Sequence, residues 1–407
     1  MLGLRWAAIA WGVGLVVYVM WRGAREVGAG LRGPGGRERI AVVLALLGTH
    51  TLAGRSSADE ILANPLVIER AIRGTLSGLA LLVVLPALMR RAGALQTRNY
   101  PGMLALLIYV GVGGISTIYS VAPLVTIAKV FELGVGVAIV LAATLSSDGD
   151  RRLKDLVRFV VFLEGTLVGV AVAGFLLGMD TFSDLGPRPG FVSPLTMNSP
   201  YLHSNALSAA GGLLAAFALG SFFESSRPVE RARWMGLFGL GTVGTILASG
   251  RQGVVIWVAG VAVLLWVHRR WLLAALLGPA AVGLVVANWE TLWQVLTRAR
   301  PANVATLSGR LVYWSSALDV WAEHPWSGFG FGAGGRFVAL SAIDQGNVSS
   351  LHSGYMEALV GVGLVGCLPL AYAIWRAGKW SYRQLRRRDL NTRFAVVIVP
   401  LLLHTSV

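Results

Sequence analysis

Cysteine is almost missing from this chain, with a single residue, Cys367, among 407. No intrachain disulfide can form, no cysteine-based metal site can be assembled, and one thiol does not reveal a redox compartment. Charge is scarce as well. Charged side chains make up 14% of residues against 55% hydrophobic, with a mean hydropathy of +0.66, whereas a soluble domain carries about 25% charged residues. That shortage excludes an ordinary water-soluble enzyme, and lipid explains the missing charge. The six histidines are scattered without His-x-x-x-His or His-Glu-x-x-His spacing. Acidic residues are sparse on the face that the topology below makes the outer one, so neither zinc nor a carboxylate-held magnesium is expected. A nucleotide-binding loop is also lacking: the glycines of Gly328-Phe329-Gly330-Phe331-Gly332 and Gly334-Gly335 have no following Lys-Ser/Thr, and they read as a tight turn.

What is present is a series of apolar runs of about 17 to 25 residues, each long enough as a helix to cross a hydrocarbon core of roughly 30 Å. They fall near 4–21, 39–53, 72–89, 102–118, 122–143, 153–177, 202–223, 233–249, 252–267, 271–288, 354–377 and from 394 onward. The alternation of a β-barrel is absent, and continuous apolar segments satisfy their backbone groups in lipid only as helices. The pattern predicts an all-α, polytopic membrane helical bundle of about twelve transmembrane helices. Bulky Met20, Trp21 and Arg22 follow the first run, where a signal peptide would need a small-residue cleavage site, so that run is expected to stay as a helix.

Basic residues divide the connections into two alternating sets. Arg22, Arg25, Arg32, Arg37 and Arg39 begin one set, and Arg90, Arg91 and Arg98, then Arg151, Arg152 and Lys154, continue it. Arg227, Arg231 and Arg233, then Arg269 and Arg270, then Lys379, Arg383, Arg386, Arg387 and Arg388 complete it. The positive-inside rule makes these loops cytoplasmic. The connections around 119–121, 178–201, 250–251 and 289–353 are poor in basic residues and belong to the opposite face, while 54–71, with Arg55 and Arg70, is ambiguous. The net charge of +15 is therefore a topological signal rather than a sign of nucleic-acid binding. The organisation expected is an N-terminal bundle over 1–288, a large outer loop over 289–353 with short amphipathic helices, and C-terminal helices over 354–407. Leu311, Trp314, Leu318 and Trp321 have helical spacing in that loop, and the stretch is either a helix lying on the bundle or a substrate-contacting one.

Three polar residues stand beside glycine or serine at the edges of spans on the outer face. Arg251 lies in the short break Ser249-Gly250-Arg251-Gln252-Gly253, where it either snorkels to the interface or meets a ligand. Arg310 opens the Trp-rich amphipathic stretch after Leu307-Ser308-Gly309, so a guanidinium and a positive helix end would point together at an anion. His352 stands in Leu351-His352-Ser353-Gly354-Tyr355 at the mouth of the next span, where an imidazole could act as a general base. Two arginines can neutralise a diphosphate without a metal, because guanidinium is permanently charged and binds phosphate oxygens in bidentate fashion. Gln252, Tyr355, Lys129 and Arg188 are supporting candidates. Lys129 and Glu132, three apart on one helix, are expected to pair with each other. Glu357, five residues after His352, is expected to point elsewhere on its helix.

Taken together these segments resemble the O-antigen ligase and polymerase superfamily over roughly residues 200–370. Ser249-Gly250-Arg251-Gln252-Gly253 resembles the family's first arginine motif and Ser308-Gly309-Arg310-Leu311-Val312-Tyr313-Trp314 its second. His324-Pro325-Trp326-Ser327-Gly328-Phe329-Gly330 is similar to a His-Pro, Gly-x-Gly signature, and His352-Ser353, nine residues, then Gly363-Leu364-Val365-Gly366 is similar to the ligases' His-(Asn/Ser/Gln)-x9-Gly-x-x-Gly pattern. The resemblance implies a GT-C-like bundle in a bacterial inner membrane, with its active site facing the periplasm. It implies a glycosyltransferase that needs no cofactor and moves a glycan from undecaprenyl diphosphate to a sugar of lipid A-core with inversion. Its partners would be the lipid-linked O-antigen donor, the lipid A-core acceptor and membrane lipids, with no nucleic acid. Carried over, Arg251 and Arg310 would hold the donor diphosphate and His352 would orient or deprotonate the acceptor hydroxyl. An O-antigen polymerase, a protein O-oligosaccharyltransferase and, from another class, a lipid-linked glycan transporter are the alternatives; no internal repeat of the transporter kind is visible.

Overall fold

The computed structural model describes residues 35–50, 68–91, 100–176, 197–198, 201–202, 204–248, 250–270, 309–343 and 350–387. Among them the chain is helical: α1 (Gly36–His50), α2 (Ile68–Arg91), α3 (Pro101–Ile115, continued by a 3₁₀ turn Ser116–Ile118), α4 (Pro123–Thr144) and α5 (Gly149–Leu176) come first. Then follow α6 (Ser204–Glu224), α7 (Pro228–Leu247), α8 (Arg251–Val267), α9 (Arg310–Glu323), a π-helical turn Gly335–Leu340 and α10 (Gly354–Arg387). The one extended pairing among the described residues is antiparallel, between β1 (Met197–Asn198) and β2 (Tyr201–Leu202). Proline opens α3, α4 and α7, where its fixed φ suits the first turn and its missing N–H costs nothing.

Six helices among the described residues are long and apolar enough to cross a membrane: Ala71–Arg91, Pro101–Ile118, Pro123–Thr144, Gly149–Phe175, Ser204–Glu224 and Gly354–Arg386. They coincide with six of the expected runs. The runs at 233–249 and 252–267 are also helical, as α7 and the shorter apolar α8, and α1 covers most of the short run at 39–53. The runs at 4–21, 271–288 and from 394 onward lie outside the described residues. The chain is thus a multi-pass helical membrane protein.

Its packing divides into two units, with boundaries inside α5 and α10. The first holds the described residues of Val157–Pro301 and Gly378–His404, the second those of Gly33–Leu156 and Ala302–Ala377.

In the first unit α6 is the central helix, buried on nearly every side from Leu207 to Ser221. Small residues make that possible. A Cβ on Gly241 would stand 2.6 Å from Gly211 O, and one on Gly212 would stand 2.6 Å from Gly253 O. The backbones of α7 and α8 therefore lie directly on α6, the close approach by which helices associate in lipid. Hydroxyls tie the same contact: Ser208 Oγ lies 2.8 Å from Gly250 O and 3.1 Å from Thr245 O, and Thr245 Oγ1 donates to Gly241 O at 2.8 Å. Phe217 and Trp234, with ring centroids 6.0 Å apart, fill the adjoining core.

In the second unit α1, α2 and α4 pack together and α3 lies on α4. Its two ends differ in charge. At the C-terminal end of α4 the buried Glu38 carboxylate is held by Arg91 at 3.2 Å and Arg152 at 3.6 Å. Arg91 also donates to Ala142 O at 2.6 Å, satisfying an orphan carbonyl of the helix end. Beside them Asp148 accepts from Ser146 and Arg152, contacts that hold its carboxyl below the usual range. At the N-terminal end of α4, the basic-poor turn 119–121 meets residues 327–329: Tyr119 donates to Ser327 O at 2.8 Å and Val121 N–H to Phe329 O at 3.2 Å. The two connections assigned to one face by charge are thus neighbours.

Candidate active site

The glycine run 328–335 turns tightly, as expected, with Ala333 N–H and Gly334 N–H both donating to Gly330 O at 3.1 Å. It docks on a break in α10. Gly363 carries φ 59° and ψ −163° in the middle of that helix. In an unbroken helix the amides of Leu364 and Val365 would donate to Val360 O and Gly361 O. Here Leu364 N–H donates to Pro325 O at 2.9 Å and Val365 N–H to Trp326 O at 3.2 Å. The freed carbonyls of Val360 and Gly361 accept from Phe329 N–H at 2.9 Å and Gly330 N–H at 2.8 Å. Two bonds within a helix are exchanged for four between segments.

The glycines are required by this docking. A Cβ on Gly328, whose φ is 65°, would stand 2.5 Å from Val360 O, and one on Gly363 would collide with the Trp326 carbonyl. Gly332 lies against the Lys129 stem, where a Cβ would be 2.9 Å from Cγ. Lys129 is six residues into α4, or about 9 Å along its axis, so the loop enters the depth of the span. Irregular backbone is tolerated there only when protein covers it, and Ser116 does part of that: its hydroxyl accepts from Phe331 N–H at 3.0 Å and donates to Gly113 O at 2.6 Å. Tyr119, the donor to Ser327, keeps its proton the more firmly because partial burial pushes its phenol up. The His-Pro, Gly-x-Gly segment and the Gly-x-x-Gly segment, separate in sequence, are therefore one construction.

His352 stands just before α10 with a φ of 54°. A left-handed conformation costs a non-glycine residue about 1–2 kcal/mol, so neighbours must hold it. Ser350 Oγ accepts from His352 N–H at 3.3 Å and lies 3.5 Å from Nδ1. Ser353 caps α10, receiving Met356 N–H at 3.4 Å. The preceding residue, Leu351, is fully buried, its N–H donates to Glu357 Oε1 at 2.7 Å, and its carbonyl accepts from Trp314 Nε1 at 3.0 Å. The expectation that Glu357 points elsewhere is corrected. Because the chain turns back at His352 before α10 begins, helical spacing does not apply, and the carboxylate reaches the residue beside His352.

Arg310 is the first residue of α9, after Gly309 with φ 83°. Trp314 is four residues further on, about one turn or roughly 6 Å along the helix, and its bond to Leu351 O ties α9 to the His352 segment. Lys129 pairs with Glu132 at 3.6 Å as its spacing suggested, and Arg73 of α2 adds an ion pair with Glu132, its Nη2 donating to Oε2 at 2.8 Å. The charge of Glu357 interacts with Lys129 and with Arg336 of the π turn. Arg310, Lys129 and His352 all belong to the second unit, and so does Tyr355, which is exposed. Arg251 and Gln252 open α8 in the first unit, where Gly250 and Gly253 press against Ser208 and set the start of that helix. Arg188 lies outside the described residues. Sequence reasoning missed Arg73, Trp314 and Arg336 as members of this network; the unusual cost of Arg in an apolar run was the one signal for Arg73.

All of the segments just described, from the start of α8 to the break in α10, fall within one stretch of chain that can be compared as a block. Residues 235–371 match the family model described as O-antigen ligase. The matched stretch is less than half of the chain, and it supports an O-antigen ligase family assignment. It encloses Arg251, Arg310, His352, the glycine run and Gly363. No curated protein and no solved structure matches the chain. The O-antigen ligase match agrees with the resemblance read from the four motifs and points to an enzyme of the glycosyl-transferring ligase and polymerase group acting on lipid-linked substrates in a membrane.

Proposed function

We propose that this protein is an O-antigen ligase of the bacterial inner membrane, a GT-C-like bundle of about twelve helices whose active site faces the periplasm. It transfers a glycan from undecaprenyl diphosphate to a sugar hydroxyl of lipid A-core, without metal or nucleotide and with inversion. The acceptor oxygen attacks the anomeric carbon and the diphosphate leaves with the electrons of the broken C–O bond. His352 receives the acceptor proton, and Arg310 neutralises the diphosphate as charge builds on it. Arg251 is a donor-binding residue by its own position at the positive start of α8. Lys129 and Arg188 add positive charge, and Gln252 and Tyr355 add hydrogen bonds.

The observation that carries this reading is the left-handed His352, held by the segment it follows, inside a stretch with the O-antigen ligase match. Its test is transfer by the purified protein from undecaprenyl-diphosphate glycan to lipid A-core in EDTA without nucleotide. Wild type should transfer, His352→Ala should lose turnover while retaining donor binding, and Arg310→Ala and Arg251→Ala should weaken donor binding. Extension of the donor instead of transfer to lipid A-core would make it a polymerase, and absence of both reactions would reopen the transporter alternative.

A further inference from the structure

We infer that Glu357 and Trp314 are positioning residues that clamp Leu351 and so present His352, an inference that rests on the reading of His352 as the acceptor-activating group. The residue is gripped at three points. Its N–H donates to Glu357 Oε1 at 2.7 Å, its carbonyl accepts from Trp314 Nε1 at 3.0 Å, and the Leu351 side chain is fully buried among Ala317, Val320, Leu340 and Val360. With its N–H, its carbonyl and its side chain all engaged, Leu351 is fixed, and the next residue takes the left-handed φ of 54°. An unheld segment would relax to the conformations that histidine prefers, carrying the imidazole away from its working place. A displacement of this size matters because catalytic groups must be held within about 0.5 Å of productive geometry.

Each half of the clamp belongs to a different element. Trp314 sits one turn beyond Arg310 on α9. Glu357 sits in the first turn of α10 with its carboxylate against Gly335, where a Cβ would collide with Oε2. Arg336, next to that glycine, and Lys129 of α4 are the charges that face it. The role of Glu357 is therefore to accept a hydrogen bond, not to exchange a proton with substrate, and an amide can replace it.

That distinction supplies the experiment. Wild type, Glu357→Ala, Glu357→Gln, Trp314→Phe and His352→Ala are purified in detergent. Transfer from undecaprenyl-diphosphate glycan to lipid A-core is measured as kcat and as KM for donor, and amide hydrogen exchange is followed over 350–353. Glu357→Ala should lower kcat about tenfold or more with donor KM unchanged, as loss of one charge-assisted hydrogen bond predicts. It should also speed exchange at Leu351. Glu357→Gln should recover kcat to within about threefold of wild type, since its carbonyl still accepts the Leu351 N–H. Trp314→Phe, which keeps the ring and drops the donor, should lower kcat by a smaller factor and again leave donor KM alone; it serves if Glu357→Ala does not fold. Wild-type kcat in both Glu357→Ala and Trp314→Phe overturns the clamp, and so does Glu357→Gln as slow as Glu357→Ala, which would assign the effect to charge. Full transfer by His352→Ala, or none by wild type, overturns the underlying reading instead, and the exchange rates still report whether the clamp exists.

Discussion

Glycine is used in opposite ways by the two units. In the first, Gly211, Gly212 and Gly241 lie inside regular helices and serve by being small, letting α7 and α8 press their backbones onto α6. In the second, Gly309, Gly328, Gly330, Gly332 and Gly363 carry positive φ values between 59° and 109°. They serve by taking conformations that other residues avoid. The interiors differ accordingly: small residues, hydroxyls and aromatic rings in the first, and in the second a broken helix beside Arg73, Lys129, Glu132 and Glu357. Regular helices in lipid need close packing and little else. A site that must hold charge and aim a side chain needs irregular backbone, and irregular backbone in a membrane needs a protein partner for every exposed amide and carbonyl.

The sharpest way to break that contrast is at Gly363. Alanine there must adopt φ 59° and also displace the Trp326 backbone, so a loss of about 3 kcal/mol or more is expected. The thermal midpoint and the monodisperse yield in detergent would show it, and a variant that melts with wild type would mean the α10 break is not required. Charge is the second test. Glu132→Leu leaves the half-buried Arg73 guanidinium without its carboxylate partner and should cost about 3 kcal/mol, while Arg73→Leu combined with Glu132→Leu should recover most of it. Additive losses in the double variant would show that the pair is incidental.

A smaller effect is expected at Gly241, where alanine keeps an allowed helical conformation and only forces α6 and α7 apart, for about 1–3 kcal/mol. Equal losses at Gly241 and Gly363 would erase the distinction between a steric and a conformational glycine. The smallest change should have the opposite sign. Gly239 of α7 and Gly136 of α4 have open space where a Cβ would go, so alanine at either should raise stability by about 0.5–1 kcal/mol. A loss at one and a gain at the other would show that the units differ in more than where their glycines sit.

Much of the first unit could be read from the sequence. The expected runs at 202–223, 233–249 and 252–267 are α6, α7 and α8 within a few residues, because a helix that spans lipid must be a long apolar run. The basic-poor connections at 119–121 and 327–329 meet at one end of the second unit for a similar reason, since their lack of Arg and Lys is itself a topological requirement. The pairing of Lys129 with Glu132 was legible from a spacing of three within one helix. Arg73 was not, since its partner is 59 residues away.

The sequence by itself determined that this chain is a helical membrane protein, and which of its residues resemble those of a glycan-transferring family. Composition and local period suffice for that, because water and lipid act on each segment separately. Only the tertiary structure decided that the glycine run replaces the bonds α10 gives up at Gly363, and that Glu357 and Trp314 reach the same residue, Leu351. Those bonds join residues far apart in sequence, or cross a residue in a left-handed conformation, where helical spacing loses its meaning. His352 could be singled out from its motif. What holds it in place is a property of the fold.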